Sequence, residues 1–247
     1  MLEHVARGDS PPTLRLFDWY PACLSLGYAQ PYSDVDHARL QERGWGIVRR
    51  PTGGRAILHT DELTYSVVAP QSEAHVAGPL LESYNRLARA LLHAVRKLGV
   101  DAHMTVDEEA NRNSVNPVCF EAPSAYEITV DGKKLIGSAQ ARRKQGVLQH
   151  GSLPLRGDLR RITEVLAYPD AAKRAEAAER LVMRATTVES VLHRIVSWNE
   201  AAEAFEEGFK TALGLRFERG RLSEPECERT RALVVEKYGL SEWTERA

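Results

Sequence analysis

The sequence predicts an α+β fold, in which a strand-rich first part is followed by helices. The run ELTYSVVAP (62–70) has apolar residues at every second position, which is typical of a strand with one buried face. Residues 126–139, YEITVDGKKLIGSA, read as two strands around an Asp-Gly turn, the strongest hairpin pattern in the chain. From Asp158 onward the sequence reads as helical. Strands followed by helices favour the α+β class.

The remaining elements follow from local patterns. Apolar residues at helical spacing predict a helix from Pro79 to Leu98, with Gly99 at the position after its last turn. Shorter strand-like runs surround it in the sequence; they are LRLFDW (14–19), GWGIVRR (44–50), RAILHT (55–60) and VLQHGSL (147–153).

The C-terminal part carries the signals of capped helices. Ser197 to Glu200 and Ser223 to Glu226 have the spacing of capping boxes, and Gly214 and Gly239 stand where glycines end helices. Phe205, Phe209 and Leu213 form an apolar stripe, which predicts that the helices pack on the sheet. We therefore expect one domain over residues 1–247, with a helical extension of about 158–247 packed on it.

Composition excludes several classes of function. The 247 residues are 43% hydrophobic and 27% charged with a formal net charge of -1, which requires neither nucleic acid nor an anionic membrane as partner. Three cysteines without a CxxC pair argue against a disulfide framework and a structural zinc site. No apolar run approaches the ~20 residues of a membrane span, and no signal peptide opens the chain. We expect a cytoplasmic protein.

Basic residues nevertheless cluster in two places, and each cluster has two interpretations. Each is either a solvated face or a docking surface for an acidic carrier protein. The clusters are Arg142-Arg143-Lys144 and Arg156, Arg160 and Arg161.

Cys119 and Lys134 are the candidates for covalent chemistry. Cys119 lies in a loop between two prolines, and the Asp131-Gly132 turn can return Lys134 to that loop. A lysine ammonium near a thiol favours the nucleophilic thiolate. The alternatives are a cysteine that packs as a small hydrophobic residue and a solvated strand lysine like Lys133.

Three further segments could surround a ligand. Pro51-Thr52-Gly53-Gly54, after Arg49-Arg50, could expose backbone N–H groups to it, or could be an ordinary hairpin turn. Gly137-Ser138-Ala139 is a stretch of small residues within a strand, although Ser138 lacks the context of a nucleophile. His59 and His150, the latter followed by Gly151-Ser152, could line a shared pocket or be structural.

Together these motifs resemble the biotin/lipoate protein ligase and octanoyltransferase superfamily. Within it, the chain is most similar to the cysteine-dependent octanoyltransferases that load octanoate onto the glycine cleavage system H protein. The resemblance implies a mixed sheet with flanking helices, the catalytic fold shared with biotin protein ligase and class II aminoacyl-tRNA synthetases. The matching segments, in the family's order, are 12–30, 49–59, 62–68, 119–153 and 236–243.

The resemblance also implies roles for individual residues. Cys119 matches the acyl-thioester nucleophile and Lys134 the lysine that lowers its pKa. The residues that match substrate-binding segments are Arg50, Thr52, Gly53, Gly54, Arg55, Ala56, His59, Gly137, Ser138, Ala139, His150, Gly151 and Ser152. The implied donor is octanoyl-acyl carrier protein, and the implied acceptor is a lipoyl domain, above all the glycine cleavage H protein. Neither a cofactor nor a metal is expected.

Two rival functions remain open. An ATP-dependent lipoate ligase would use the same pocket with ATP and Mg²⁺ and would not need Cys119. A non-catalytic lipoyl-binding protein would keep the pocket alone. Arg55 stands where many relatives have a third glycine, which favours the octanoyltransferase branch, as does a chain that stops soon after EKYGLSEW (236–243). Thr60 before Asp61 departs from the family pattern, and the chain begins where a family helix would be ending.

Overall fold

The main sheet has six strands, all antiparallel to their neighbours, within residues 1–106, 126–143 and 146–246, which the computed structural model describes. Its strand order is β1-β5-β9-β8-β7-β6. The strands are β1 Thr13–Phe17, β5 Glu62–Pro70, β6 His103–Val106, β7 Tyr126–Val130, β8 Lys133–Arg143 and β9 Gly146–Pro154.

A smaller sheet of three strands has the order β3-β2-β4. In it, β2 runs parallel to β3 and antiparallel to β4, so the mixed pairing expected of the fold occurs in this sheet. Its strands are β2 Cys23–Leu26, β3 Gly46–Arg49 and β4 Ile57–His59.

Helices flank the two sheets. The α-helices are α1 Leu2–Arg7, α2 His37–Glu42, α3 Leu80–Lys97, α4 Ala171–Arg184, α5 Val188–Leu192, α6 Trp198–Leu213, α7 Glu224–Leu233 and α8 Ser241–Thr244. Short 3₁₀ turns span Tyr32–Asp34 and Leu159–Glu164, and a π-helical turn spans Val234–Tyr238. No helix in the described part of the chain is long and apolar enough to cross a membrane.

The structure confirms the two strongest predicted elements. The predicted helix is α3, which follows Pro79 and ends before Gly99, whose φ of 92° only glycine adopts easily. The predicted hairpin is β7 and β8, and its turn residues Asp131 and Gly132 have φ of 49° and 75°. Positive φ at both positions is the geometry that favours an Asp-Gly pair between twisted strands.

A β-bulge interrupts the β7–β8 pairing. Ile128 pairs with Ile136, but its neighbour Thr129 pairs with Lys134, so Leu135 is an extra residue in β8. Side chains alternate between the faces of a strand, and an extra residue reverses the alternation beyond it. The bulge therefore puts Lys134 on the same face of the sheet as Gly137.

One face of the main sheet packs against α3 and α6. Tyr65 of β5 contacts Phe205 and Phe209 of α6, with ring centroids 6.0 and 6.4 Å apart, and all three side chains are buried. A side chain at Gly208 would lie 2.6 Å from the backbone nitrogen of Ala94 in α3, so only glycine permits the helices to approach this closely. The predicted packing of the apolar stripe on the sheet is thus confirmed.

The second core lies between the small sheet and the C-terminal helices. It buries side chains from β2, the loop before β4, the second 3₁₀ turn and α4; they include Leu24, Leu26, Ala56, Ile162 and Leu181. Ala56, one of the predicted substrate-binding residues, is fully buried in this cluster.

Two details of the C-terminal prediction were wrong, and one was confirmed. Residues 215–223 form no helix, because Gly214 ends α6 in the left-handed conformation. Ser197 caps α6 through its side chain, but the carboxylate of Glu200 pairs with Arg194 at 2.8 Å, so only Ser223 forms a complete capping box. Gly239 does end the π-helical turn, as predicted, although its φ is -89°; a side chain there would lie 2.6 Å from the carbonyl oxygen of Val234.

Candidate active site

The face of the sheet opposite α3 and α6 brings two predicted segments together. In the β8–β9 pairing, Gly137 lies opposite Ser152 and Ala139 lies opposite His150. The register continues into β5, where Thr64 lies opposite Ser152. Directly opposed residues in antiparallel strands share a face, so these small and polar residues form one surface, here called the site face.

Ser138 and Gly151, which alternate with those residues, belong to the helix-covered face. The hydroxyl of Ser138 lies 2.7 Å from that of Tyr65, and its carbonyl accepts a hydrogen bond of 3.3 Å from Tyr84 of α3. A side chain at Gly151 would overlap the carbonyl oxygen of Gly137 and the ring of Tyr65. The Ser138 hydroxyl is thus engaged on the helix side.

Lys134 is buried on the site face, with 4% of its surface exposed. Its Nζ lies 2.7 Å from Oε1 of Glu127, which β7 places on the same face. Lys133, by contrast, is partly exposed. The interpretation of Lys134 as a solvated strand lysine is therefore wrong.

The predicted nucleophile, Cys119, lies outside the described residues. The two cysteines that are described differ in their surroundings. Cys23 is buried in β2, and burial raises the pKa of its thiol to about 12. Cys227 lies in α7 and is partly exposed. The raised pKa makes the thiol of Cys23 a poor nucleophile at neutral pH.

Arg50 holds the glycine-rich loop 50–56 against the small sheet. Its guanidinium group donates hydrogen bonds of 2.9 and 2.7 Å to the carbonyl oxygens of Gly53 and Arg55, and one of 2.8 Å to that of Ser25 in β2. A side chain at Gly27 would overlap the carbonyl oxygen of Gly54, so glycine is required where the two segments cross. Gly53 and Gly54 themselves are exposed. The buried guanidinium group of Arg50 therefore holds the loop in place, while its tip at Gly53 and Gly54 stays exposed to solvent.

Thr52 and His150 join this loop to the main sheet. Oγ1 of Thr52 lies 2.6 Å from Nε2 of His150. Burial, together with the positive charges of Arg50 and His59, lowers the pKa of His150 to about 3. His150 is consequently neutral at physiological pH. It forms a hydrogen bond with Thr52 of the loop but contributes no charge to the site.

His59 belongs to a buried polar network that ends β4. Its ring stacks on Trp19 at a centroid distance of 4.3 Å, and its Nδ1 lies 2.5 Å from Oε1 of Glu62. Glu62 also accepts hydrogen bonds from the hydroxyls of Thr64 and Ser152. Burial raises the pKa of Glu62, but the charge of His59 and these hydrogen bonds outweigh it and hold the pKa below its ordinary value.

Sequence reasoning missed Glu62, Thr64 and Trp19. Glu62 reads as the polar start of a strand, although it is almost fully buried. The indole Nε1 of Trp19 donates a hydrogen bond of 3.0 Å to Oγ1 of Thr64, which links β1 to the network. Glu62 alternates with the apolar residues of its strand, so it lies on the polar face, and it follows His59 by three residues. This spacing is the sequence signal that could have revealed the pair of His59 and Glu62.

The sequence of most of the chain identifies its family. Residues 1–210 match the model of the lipoyl protein ligase A/B catalytic domain. The chain belongs to this family. The recognition of a lipoate ligase and octanoyltransferase superfamily from motifs is thereby confirmed.

Curated relatives resemble this member of the lipoyl protein ligase A/B family over nearly its whole length. An octanoyltransferase LipM of Kyrpidia tusciae is 43% identical over all of the chain and 91% of the relative. The octanoyltransferase LipM of Bacillus subtilis is 36% identical over 94% of the chain and 86% of the relative.

Solved structures of lipoate ligases share the fold. A bipartite lipoate protein ligase of Thermoplasma acidophilum, studied with its E2 lipoyl domain, superposes with a TM-score of 0.81 at 26% identity, over 99% of the chain and 89% of that structure. A lipoate-protein ligase A bound with ATP gives 0.77 at 25% identity, over 99% and 91%. The predicted α+β fold class is confirmed.

The two basic clusters differ in their surroundings in this family member. Asp61 lies 2.7 Å from Arg161 and 3.5 Å from Arg156, and Arg160 pairs with Asp158. These acidic neighbours favour a solvated face for the second cluster. In the first, Arg142 donates to the carbonyl of Val76 on the helix side, whereas Arg143 is exposed and donates to that of Pro51. Lys144 lies outside the described residues.

No group of three or more His, Cys, Asp or Glu side chains within the described ranges is placed to hold a metal ion.

Proposed function

We propose that the protein is a protein N-octanoyltransferase, which moves octanoate from acyl carrier protein to the lysine of a lipoyl-type acceptor domain. The observation that carries this proposal is the buried Lys134 on the site face, beside strands of small residues. The naming of full-length relatives as octanoyltransferases supports it.

The proposed reaction has two steps. The thiolate of Cys119 attacks the thioester carbonyl, and the tetrahedral intermediate expels the carrier's thiolate, leaving an octanoyl thioester on Cys119. The neutral ε-amine of the acceptor lysine then attacks this thioester, Cys119 leaves as a thiolate, and the nitrogen loses a proton. Dividing one transfer into two steps is the advantage of covalent catalysis.

Lys134 would supply the charge that keeps Cys119 ionised. A buried ammonium favours a thiolate nearby, and Glu127 at 2.7 Å offsets the cost of burying it. The exposed backbone of Gly53 and Gly54 would offer N–H groups to the oxyanion of the intermediate. One such donor is typically worth ~10²–10³ in rate.

The thioester donor already carries the activation energy, so the proposed reaction uses neither ATP nor a metal ion. We place the protein in the cytoplasm, where a reducing environment keeps the thiol of Cys119 free. The glycine cleavage H protein is the acceptor we propose.

An ATP-dependent lipoate ligase is the second candidate. The observation that favours it is the superposition on a lipoate-protein ligase A bound with ATP. Such an enzyme would form lipoyl-AMP and would not depend on Cys119.

Intact-protein mass spectrometry tests the proposal. After incubation with octanoyl-acyl carrier protein, the protein should gain one octanoyl group that hydroxylamine removes. Cys119→Ala should gain none, while Cys227→Ala, which alters a partly exposed cysteine, is the matched control and should be labelled normally. A hydroxylamine-stable adduct, or lipoate-dependent exchange between ATP and pyrophosphate that survives in Cys119→Ala, would move the assignment to the ligase.

A further inference from the structure

The outer side of the glycine-rich loop holds a buried arginine with an incomplete set of partners. Arg49, the last residue of β3, is 2% exposed. Its Nε donates a hydrogen bond of 2.9 Å to the carbonyl of Thr244, and its Nη1 donates bonds of 2.9 and 2.6 Å to the carbonyls of Gly27 and Gln30. Its Nη2 is buried and has no hydrogen-bond partner among the residues that the structure describes.

The guanidinium group of Arg246 lies near that of Arg49 and also has an unused donor. The Cζ atom of Arg246 lies 3.6 Å from the ring centroid of Trp243 and 4.0 Å from that of Tyr28. Its Nη2 is also buried and has no hydrogen-bond partner within residues 1–106, 126–143 and 146–246. Burial and the charge of Arg246 together lower the pKa of Arg49, so the two groups repel each other. Two adjacent cations with unused donors are costly to bury unless an anion joins them.

Two further cations share the same aromatic rings. Nζ of Lys237 lies 4.2 Å from the ring centroid of Trp243, and Cζ of Arg143 lies 5.6 Å from that of Tyr28. We call this set the basic–aromatic cluster; it consists of Tyr28, Arg49, Arg143, Lys237, Trp243 and Arg246.

The cluster is built onto the loop that borders the site face. The backbone N–H of Tyr28 donates a 2.9 Å hydrogen bond to the carbonyl of Thr52, and the indole N–H of Trp243 donates one of 2.9 Å to the carbonyl of Arg49. Thr52 in turn contacts His150 on the site face. An anion in the cluster would therefore lie on the opposite side of a single loop from the site face.

We propose that the basic–aromatic cluster binds the phosphate ester of the arm that carries the acyl thioester. This inference rests on the proposed function, because it assumes a thioester donor. Guanidinium groups bind phosphate oxygens with paired, charge-assisted hydrogen bonds, and Arg49 and Arg246 each have a donor to spare. An acyl carrier protein holds its acyl group on a pantetheine arm joined through a phosphodiester, so the anion would dock outside the loop while the thioester enters.

Two matched donors test the proposal, since octanoyl-4′-phosphopantetheine and octanoyl-pantetheine differ only in the phosphate. The wild-type protein should use the phosphorylated donor with a kcat/KM about tenfold higher or more, the size expected for one hydrogen bond between charged groups. Arg246→Gln should lose this preference while keeping its activity with octanoyl-pantetheine. Arg219→Gln, which alters an exposed arginine paired with Glu206, is the control and should keep it.

A binding measurement separates this proposal from the proposed function, because it requires no turnover. Calorimetry at fixed ionic strength should show that unacylated 4′-phosphopantetheine binds the wild-type protein more tightly than pantetheine, and Arg246→Gln should remove the difference. If this preference is present but no octanoyl group is transferred, the proposed function fails and the anion site stands. Equal affinities in the wild-type protein, or a preference that persists in Arg246→Gln, would overturn the site. Inorganic phosphate that binds as tightly as phosphopantetheine would overturn its assignment to the arm.

Discussion

The two faces of β5, β9 and β8 share one register but differ in chemistry. On the helix-covered face, Tyr65 packs against α6, and its hydroxyl meets Ser138. On the site face, the next rung of the sheet carries Thr64 and Ser152, whose hydroxyls donate to the buried Glu62. The first face stabilises the fold through apolar burial, and the second orients polar groups beside the glycine-rich loop. Substitutions on the two faces should therefore separate stability from activity.

The largest effect is expected from the helix-covered face. Phe209→Ala removes a fully buried ring that contacts Tyr65, and such truncations cost about 3–5 kcal/mol of folding free energy. Urea denaturation should show this loss. The molecules that remain folded should keep the wild-type rate of Cys119 alkylation. A large fall in that rate under conditions where the variant is fully folded would show that the two faces are coupled.

Lys134 and Lys133 provide the sharpest test of the site face. If Lys134 favours the thiolate, the pH midpoint for alkylation of Cys119 should lie below the ~8.5 of a free cysteine. Lys134→Ala should raise it, and each unit of pKa reduces the thiolate fraction at neutral pH about tenfold. Octanoyl transfer should fall at least as far. Lys133→Ala is the matched control and should change neither quantity by more than about twofold; equal losses at both positions would contradict the assigned faces.

This pair also marks the limit of prediction from sequence. Apolar periodicity and turn chemistry were enough to predict the hairpin of β7 and β8, helix α3 and a strand at β9. Strict alternation, however, would have put Lys134 on the face of Ser138, and the bulge at Leu135 reverses that. Leucine is not a residue that signals a bulge, since glycine is the usual marker. The Asp131-Gly132 turn and the resemblance to known transferases both singled out Lys134, but neither placed it on the face of Gly137.

The buried network shows a second limit. Residues 59–62, His-Thr-Asp-Glu, end one predicted strand and begin the next, but their side chains diverge. His59 and Glu62 are buried against each other, whereas Asp61 is turned outward and pairs with Arg161. Which polar residues of a turn become buried depends on the packing of β1 and β9 around them, and that packing is not encoded within the turn.

His150 should make stability depend on pH. Its pKa is about 3 in the folded protein and near 6.5 in the unfolded chain. The unfolded state therefore takes up a proton as the pH falls below about 6.5, and the folded state does not until about pH 3, so folding weakens across this window. Between pH 7 and pH 5 the wild-type protein should lose up to ~2 kcal/mol more than His150→Gln in urea denaturation. The same loss in both proteins would show that His150 is not the group responsible.

The smallest effect comes from a matched pair of hydroxyls on opposite faces. Ser138 and Ser152 lie on neighbouring rungs of the β8–β9 ladder; Ser138 meets Tyr65 among the helices, and Ser152 donates to Glu62. Ser138→Ala removes a partly buried bond between two hydroxyls and should lower the unfolding free energy by about 0.5–1.5 kcal/mol. Ser152→Ala removes a buried bond to a carboxylate and should lower it by about 1.5–3 kcal/mol. Only Ser152→Ala should also slow octanoyl transfer, because Glu62 orients His59 through a hydrogen bond that Ser152 helps to hold. Transfer rates should be measured under conditions where both variants are folded. If Ser138→Ala slows transfer as much as Ser152→Ala, the assignment of stability to one face and activity to the other is wrong.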